Sequence, residues 1–74
     1  MCLAVPLKII EIKDKMATGE LETIKREVSI ALTPNAKVGD WVLVHAGYAI
    51  QIIEESEADE TIKLLKELSD VAYN

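Results

Sequence analysis

Two residues in this chain have side chains suited to holding a soft metal or attacking an electrophile. Each is the only one of its kind: Cys2 and His45. Cys2 directly follows the initiator methionine. Cysteine is small enough for Met1 to be removed, which would leave the thiol beside an α-ammonium group. A neighbouring positive charge favours the thiolate, the form that binds soft metals and acts as a nucleophile. A lone cysteine is more commonly a small buried hydrophobe, but position two has no chain on one side to bury it. A lipidated cysteine requires a signal peptide upstream, and only Met1 lies there. An intramolecular disulfide requires a second cysteine.

Imidazole and thiolate are both suitable ligands for iron or zinc. His45 can equally be a structural histidine at the end of a strand, and its residue type alone leaves both roles open. The sequence has no Ser-His-acid order, no glycine-rich phosphate loop and no Cys-x-x-Cys pair. An N-terminal cysteine can act as a nucleophile with its own amine as base. Such a hydrolase also needs an oxyanion hole and a substrate pocket, for which 74 residues leave little room. A non-enzymatic protein is expected.

The elements that must position these two residues read as β for the first two-thirds of the chain. Val5 to Lys13 is rich in residues that suit a pleated surface, although adjacent Ile9 and Ile10 break the alternation. A barrel strand covered on one side by a helix would account for that. Asp14-Lys15 reads as a turn. Met16 to Glu22 is a weaker strand with a candidate bulge at Gly19. Ile24 to Leu32 puts Ile24, Val28, Ile30 and Leu32 on one face, with Arg26 interrupting the apolar side. Thr33 to Lys37 is a loop. Trp41 to His45 is a central strand, Gly47 breaks it, and Ala49 to Glu54 returns as its hairpin partner. Trp41 is expected in the core or as a barrel plug. Ser56-Glu57-Ala58-Asp59 has a capping-box pattern. A helix is predicted from about Glu57 to about Val71, its stripe of Ala58, Ile62, Leu65, Leu68 and Ala72 packing on the barrel. The predicted fold is mainly β: a small OB-like barrel of about five strands followed by one C-terminal α-helix. A single domain spans residues 1–74, with tail and barrel over 1–54 and the amphipathic helix over 56–72.

Half of the residues are hydrophobic but none is phenylalanine, so Ile, Val, Leu and Ala must build the core. The net charge of −5 is uneven. Residues 1–53 are balanced, and residues 54–74 carry seven acids against Lys63 and Lys66. Nucleic-acid binding needs a basic footprint and aromatic platforms, and neither is visible. An OB-like nucleic-acid-binding module is thus only the alternative reading. No apolar run is long enough to span a membrane, and one free thiol suits a reducing compartment. A cytoplasmic location, with no membrane and no nucleic-acid partner, is expected.

Met1-Cys2-Leu3-Ala4-Val5-Pro6, one further residue, then Lys8-Ile9 resembles the N-terminal signature of the HypC/HupF family of hydrogenase maturation chaperones. Lys25-Arg26-Glu27-Val28-Ser29 and the stretch from Val38 through Trp41 and His45 to Ile50 are similar to the family as well. Leu7 is a departure, because members commonly carry glycine there. The resemblance implies a barrel-like fold and a chaperone for assembly of [NiFe]-hydrogenase. It implies that Cys2 binds the iron that becomes the Fe(CN)2CO unit, with His45 as a second residue around that iron. The iron would be held transiently, with no permanent cofactor. The implied partners are an iron–sulfur maturation protein of the HypD type, the hydrogenase large-subunit precursor and the HypE/HypF cyanide-donating machinery. Cys2, Leu3, Ala4, Val5 and Pro6 form the candidate partner-binding segment, although Leu3 to Val5 could equally begin the first barrel strand.

Overall fold

A computed structural model describes residues 4–73, with side chains described as far as residue 67. Five strands close into a barrel: β1 (Val5–Lys13), β2 (Met16–Leu21), β3 (Ile24–Ser29), β4 (Trp41–His45) and β5 (Tyr48–Ile53). Around the barrel the order is β1-β2-β3-β5-β4. Helix α1 (Glu55–Tyr73) follows and packs on β1 and β4. The expected five-strand barrel with one C-terminal helix is the observed architecture.

The barrel core is aliphatic, as the lack of phenylalanine requires. Ile9, Val42 and Ala49 are fully buried, and Val28 and Ala17 nearly so. Ile9 and Ile10 are adjacent without conflict because the β1–β2 register shifts there. Ile9 pairs with Gly19 and Glu11 with Thr18, so Ile10 is the extra residue of a β-bulge and faces outward. On its other edge Ile9 is held by the loop before β4. Its N–H donates to the Asp40 carbonyl at 2.9 Å, and Gly39 N–H donates to the Ile9 carbonyl at 2.8 Å.

Several local expectations are corrected. The bulge lies on β1, opposite Gly19 and not at it. Gly19 is instead a point of close approach: a Cβ there would lie 2.8 Å from Leu7 Cβ. Leu7 is buried in the core, so the bulky residue at the family's usual glycine position fits by occupying the space above Gly19. β3 ends at Ser29, three residues short of Leu32. Only Val28 and Ile30 of its expected apolar face are buried, whereas Ile24 and Leu32 are exposed. Trp41 is half-buried, outside the core cluster, with its indole Nε1 shielded from water and lacking an acceptor. The helix starts at Glu55, two residues before Glu57. Its first bond runs from Ala58 N–H to the Glu54 carbonyl at 3.0 Å, which makes Glu54 the N-cap. Ser56 lies inside the first turn and does not cap. Ala58 is fully buried, Ile62 and Leu65 half-buried, and Leu64 exposed. The part of the stripe at Leu68 and Ala72 lies outside the described side chains.

Candidate functional site at the barrel mouth

The β1–β4 ladder determines where the N-terminal segment enters the fold. Val5 pairs with Val44, Pro6 with Leu43 and Leu7 with Val42, all antiparallel. β1 therefore begins at the end of the barrel where β4 finishes, one residue from His45. Cys2 and Leu3 lie outside the described residues. Ala4 is half-buried, Val5 is 36% exposed, and Pro6 is buried inside the strand. Of the described part of the candidate partner-binding segment, Ala4 and Val5 have accessible surface and Pro6 has almost none. Pro6 is tolerated in a strand because it sits near its start, and it holds β1 extended from the first pairs.

His45 is held by a tight hairpin turn. It pairs with Tyr48 across the two-residue loop Ala46-Gly47. Both loop residues are left-handed, with φ of 54° at Ala46 and 85° at Gly47, the conformation that matches the twist of a short hairpin. Gly47 adopts it freely, whereas Ala46 bears steric strain. The turn is tied to β3 by Ser29 N–H, which donates to the Gly47 carbonyl at 2.9 Å. A strained, doubly anchored turn thus sets the direction of the strand end that carries the histidine. The His45 side chain is half-buried and makes no hydrogen bond among the described residues.

These elements surround a cavity of about 400 Å³ at the open end of the barrel. Val5, Leu7, Val28 and Val44 give it an apolar lining, and Arg26 and His45 stand on its wall. Sequence patterning flagged Arg26 only as a break in the apolar face of β3. The structure explains the break, because Arg26 lies where β3 borders the mouth and its side chain is exposed. Arg26 has no ion-pair partner among the described residues, whose one salt bridge joins Lys66 to Glu22. Among the described residues no group of three metal-ligating side chains comes together. With Glu27 also in the lining, the mouth can offer an imidazole, a guanidinium, a carboxylate-bearing residue and an apolar wall to something brought by the N-terminal segment or by a partner. Among the described residues it is not a closed metal cage. The turn at Ala46-Gly47 was missed as part of the site, since its only sequence signal was a glycine that ends a strand.

Comparison with known proteins gives this geometry its context. Residues 1–65 match the HupF/HypC family. The chain is 42% identical over 72 residues to hydrogenase maturation factor HypC of Cupriavidus necator, covering 96% of this chain and 80% of that protein. It is 43% identical over 68 residues to HypC of Rhizobium leguminosarum bv. viciae, covering 90% of this chain and 91% of that protein. It is 39% identical over 75 residues to hydrogenase maturation factor HybG of Escherichia coli K12, with 92% of each chain covered. With a family match over most of its length and relatives this similar end to end, the chain belongs to the HupF/HypC family.

Proposed function

We propose that this protein is a hydrogenase maturation factor that carries iron for the [NiFe] centre and is not itself an enzyme. In this reading the Cys2 thiolate holds the iron destined to become the Fe(CN)2CO unit, and the His45 imidazole supports it from the barrel mouth. The observation that carries the reading is the Val5–Val44 pairing, which starts the cysteine-bearing segment beside the histidine-bearing strand end. Consecutive Cα atoms are about 3.8 Å apart, so Cys2 is tethered within about 8 Å of Ala4. That reach allows the thiol to serve the mouth or to project toward a partner.

A soft thiolate suits iron bearing strong-field diatomic ligands, and it can pass such iron to another thiolate by ligand exchange. Two protein ligands cannot complete an octahedral iron, so the remaining positions fall to the diatomic ligands or to a partner. The partners in this reading are a HypD-type iron–sulfur protein, on which the unit is built with the HypE/HypF cyanide-donating machinery, and the large-subunit precursor that receives it. The compartment is the cytoplasm. No helix among the described residues is long and apolar enough to cross a membrane.

The test is co-purification of the tagged protein with its cellular partners, followed by metal analysis and infrared spectroscopy of the complex. Iron with cyanide and carbonyl stretches, lost in Cys2→Ser, is expected. A Cys2→Ser complex that retains both would overturn the reading.

A further inference from the structure

β3 has an unpaired edge beside the mouth. It is bonded to β2 along its whole length, from Ile24 opposite Leu21 to Ser29 opposite Met16. On its other side it meets β5 at a single pair, Ser29 with Tyr48. The two-residue turn at Glu22-Thr23 makes Leu21 and Ile24 the closing pair. In an antiparallel ladder every second pair exchanges both hydrogen bonds. Ile24, Arg26 and Val28 therefore direct their backbone groups to β2, and Lys25, Glu27 and Ser29 direct theirs to the outer edge. Ser29 follows this rule, since its N–H is the one that reaches Gly47. Lys25 and Glu27 have no backbone partner on the outer edge among the described residues. Two donors and two acceptors, repeating at about 7 Å, are left facing solvent.

The side chains beside that edge are graded. Ile24, Arg26 and Val28 share one face of the strand and line the mouth cavity, as does Glu27 between them. Ile24 is 50% exposed, Arg26 is exposed without an ion-pair partner among the described residues, and Val28 is buried. We propose that this edge binds an extended segment of a different polypeptide by strand addition. The segment presents to the mouth an apolar side chain over Ile24 and, two residues along, a carboxylate to Arg26. Charge complementarity selects the occupant: Lys25 and Arg26 outweigh Glu27 on the exposed strand. Two-fold antiparallel self-pairing centred on Lys25 or Glu27 sets that charge opposite its own copy and is disfavoured, whereas centring on Arg26 opposes two arginines but pairs Lys25 with Glu27 on both sides. Charges on an exposed edge are a common guard against self-association, and concentrating the protein alone tests the Arg26-centred register. The inference concerns how a partner docks and does not depend on iron chemistry.

The experiment uses the full chain, ¹⁵N-labelled, with a blocked heptapeptide in which threonine alternates with valine, glutamate and valine. Amide exchange and chemical shifts are followed by NMR. In the free protein the Arg26 and Val28 amides should exchange at least about tenfold more slowly than those of Lys25 and Glu27. Saturating peptide should slow Lys25 and Glu27 by about tenfold or more. Replacing the peptide glutamate by lysine should weaken binding about fivefold or more, and Arg26→Glu should reverse that preference. The charge-reversed peptide keeps the test valid should Arg26→Glu perturb the fold. Three outcomes would overturn the proposal: no protection of these two amides at millimolar peptide, indifference to the peptide charge, or the same protection on concentrating the protein alone.

Discussion

At the scale of single residues, Cys2 and His45 make separable predictions. Cys2→Ser replaces a soft thiolate by a hard hydroxyl in a segment that precedes β1. Circular dichroism and melting temperature should be unchanged while hydrogenase maturation in the same strain is lost. Normal maturation would remove the thiol from the mechanism. For His45, the half-buried ring without a hydrogen-bond partner among the described residues can act as a ligand or as packing. If it supports iron, His45→Ala lowers iron retention in the partner complex more than it lowers partner affinity. If it only packs, stability falls, iron retention follows the folded fraction, and His45→Gln behaves like the parent. Ala46 supplies a test on stability alone. Its φ of 54° is disfavoured for alanine and tolerated by asparagine. Ala46→Asn should raise unfolding stability by about 0.5–1 kcal/mol in denaturant titrations. A loss would mean that the turn is not left-handed there.

At the scale of elements, the contact of β1 with β2 depends on Leu7 lying over Gly19. The obstructing atom would be Leu7 Cβ at 2.8 Å, which is fixed to the backbone and cannot swing aside. Gly19→Ala should therefore cost about 1–3 kcal/mol. The cost should shrink in a Leu7→Gly background, giving a coupling above about 0.5 kcal/mol in a double-mutant cycle. Additive effects would disprove the contact. Among the described side chains, the helix is most deeply buried in its first turn. Ala58 is fully buried, so Ala58→Leu should destabilise by about 1–3 kcal/mol through overpacking. Further along, Lys66 Nζ lies 2.6 Å from Glu22 Oε1 on the β2–β3 turn, with both side chains more than half exposed. The hydrogen bond to Glu22, and then its charge, raise the Lys66 pKa above its ordinary value of 10.5. A raised folded pKa gives a contribution that is complete below the unfolded value and lost as pH rises through the folded one. It operates only up to the alkaline range, and on so exposed a pair salt screens it. Lys66→Ala should leave thermal unfolding in high salt within experimental error.

At the scale of the whole molecule, the barrel is unevenly closed. Four of its five strand junctions are ladders, and the fifth is the single pair Ser29–Tyr48. The open part of that junction adjoins the mouth, so the end of the barrel near the N-terminal segment is also the end with spare backbone valence and an apolar cavity. In the proposed function, a carrier that must release its cargo is better served by such an open site than by a closed one. The isolated protein should accordingly lose added ferrous iron on dialysis, while its complex with a HypD-type partner retains it, as metal analysis of both will show. Tight stoichiometric binding by the isolated protein would contradict delivery through an incomplete site.

Most of the fold was legible in the sequence because its signals are local. Alternation, turn residues and helical spacing placed all five strands and the helix, and β1 was bounded correctly at both ends. Cys2 was equally easy to single out as a candidate, since a lone thiol at the second position and the residues after it need no tertiary context to be noticed; its role belongs to the proposed function. The rest was decided by non-local pairing. Whether Ile10 or Gly19 made the bulge depended on register between strands. The place of Leu7 depended on a glycine twelve positions away in the chain. The helix start moved to Glu55 because β5 ended at Ile53 and left Glu54 free to cap. The role of Arg26 was hidden for the same reason: on one strand it is a charge out of pattern, and only the lack of a neighbour beyond β3 among the described residues turns it into the wall of a mouth. Sequence determines what each segment prefers, but which edges find partners is settled only when the barrel closes.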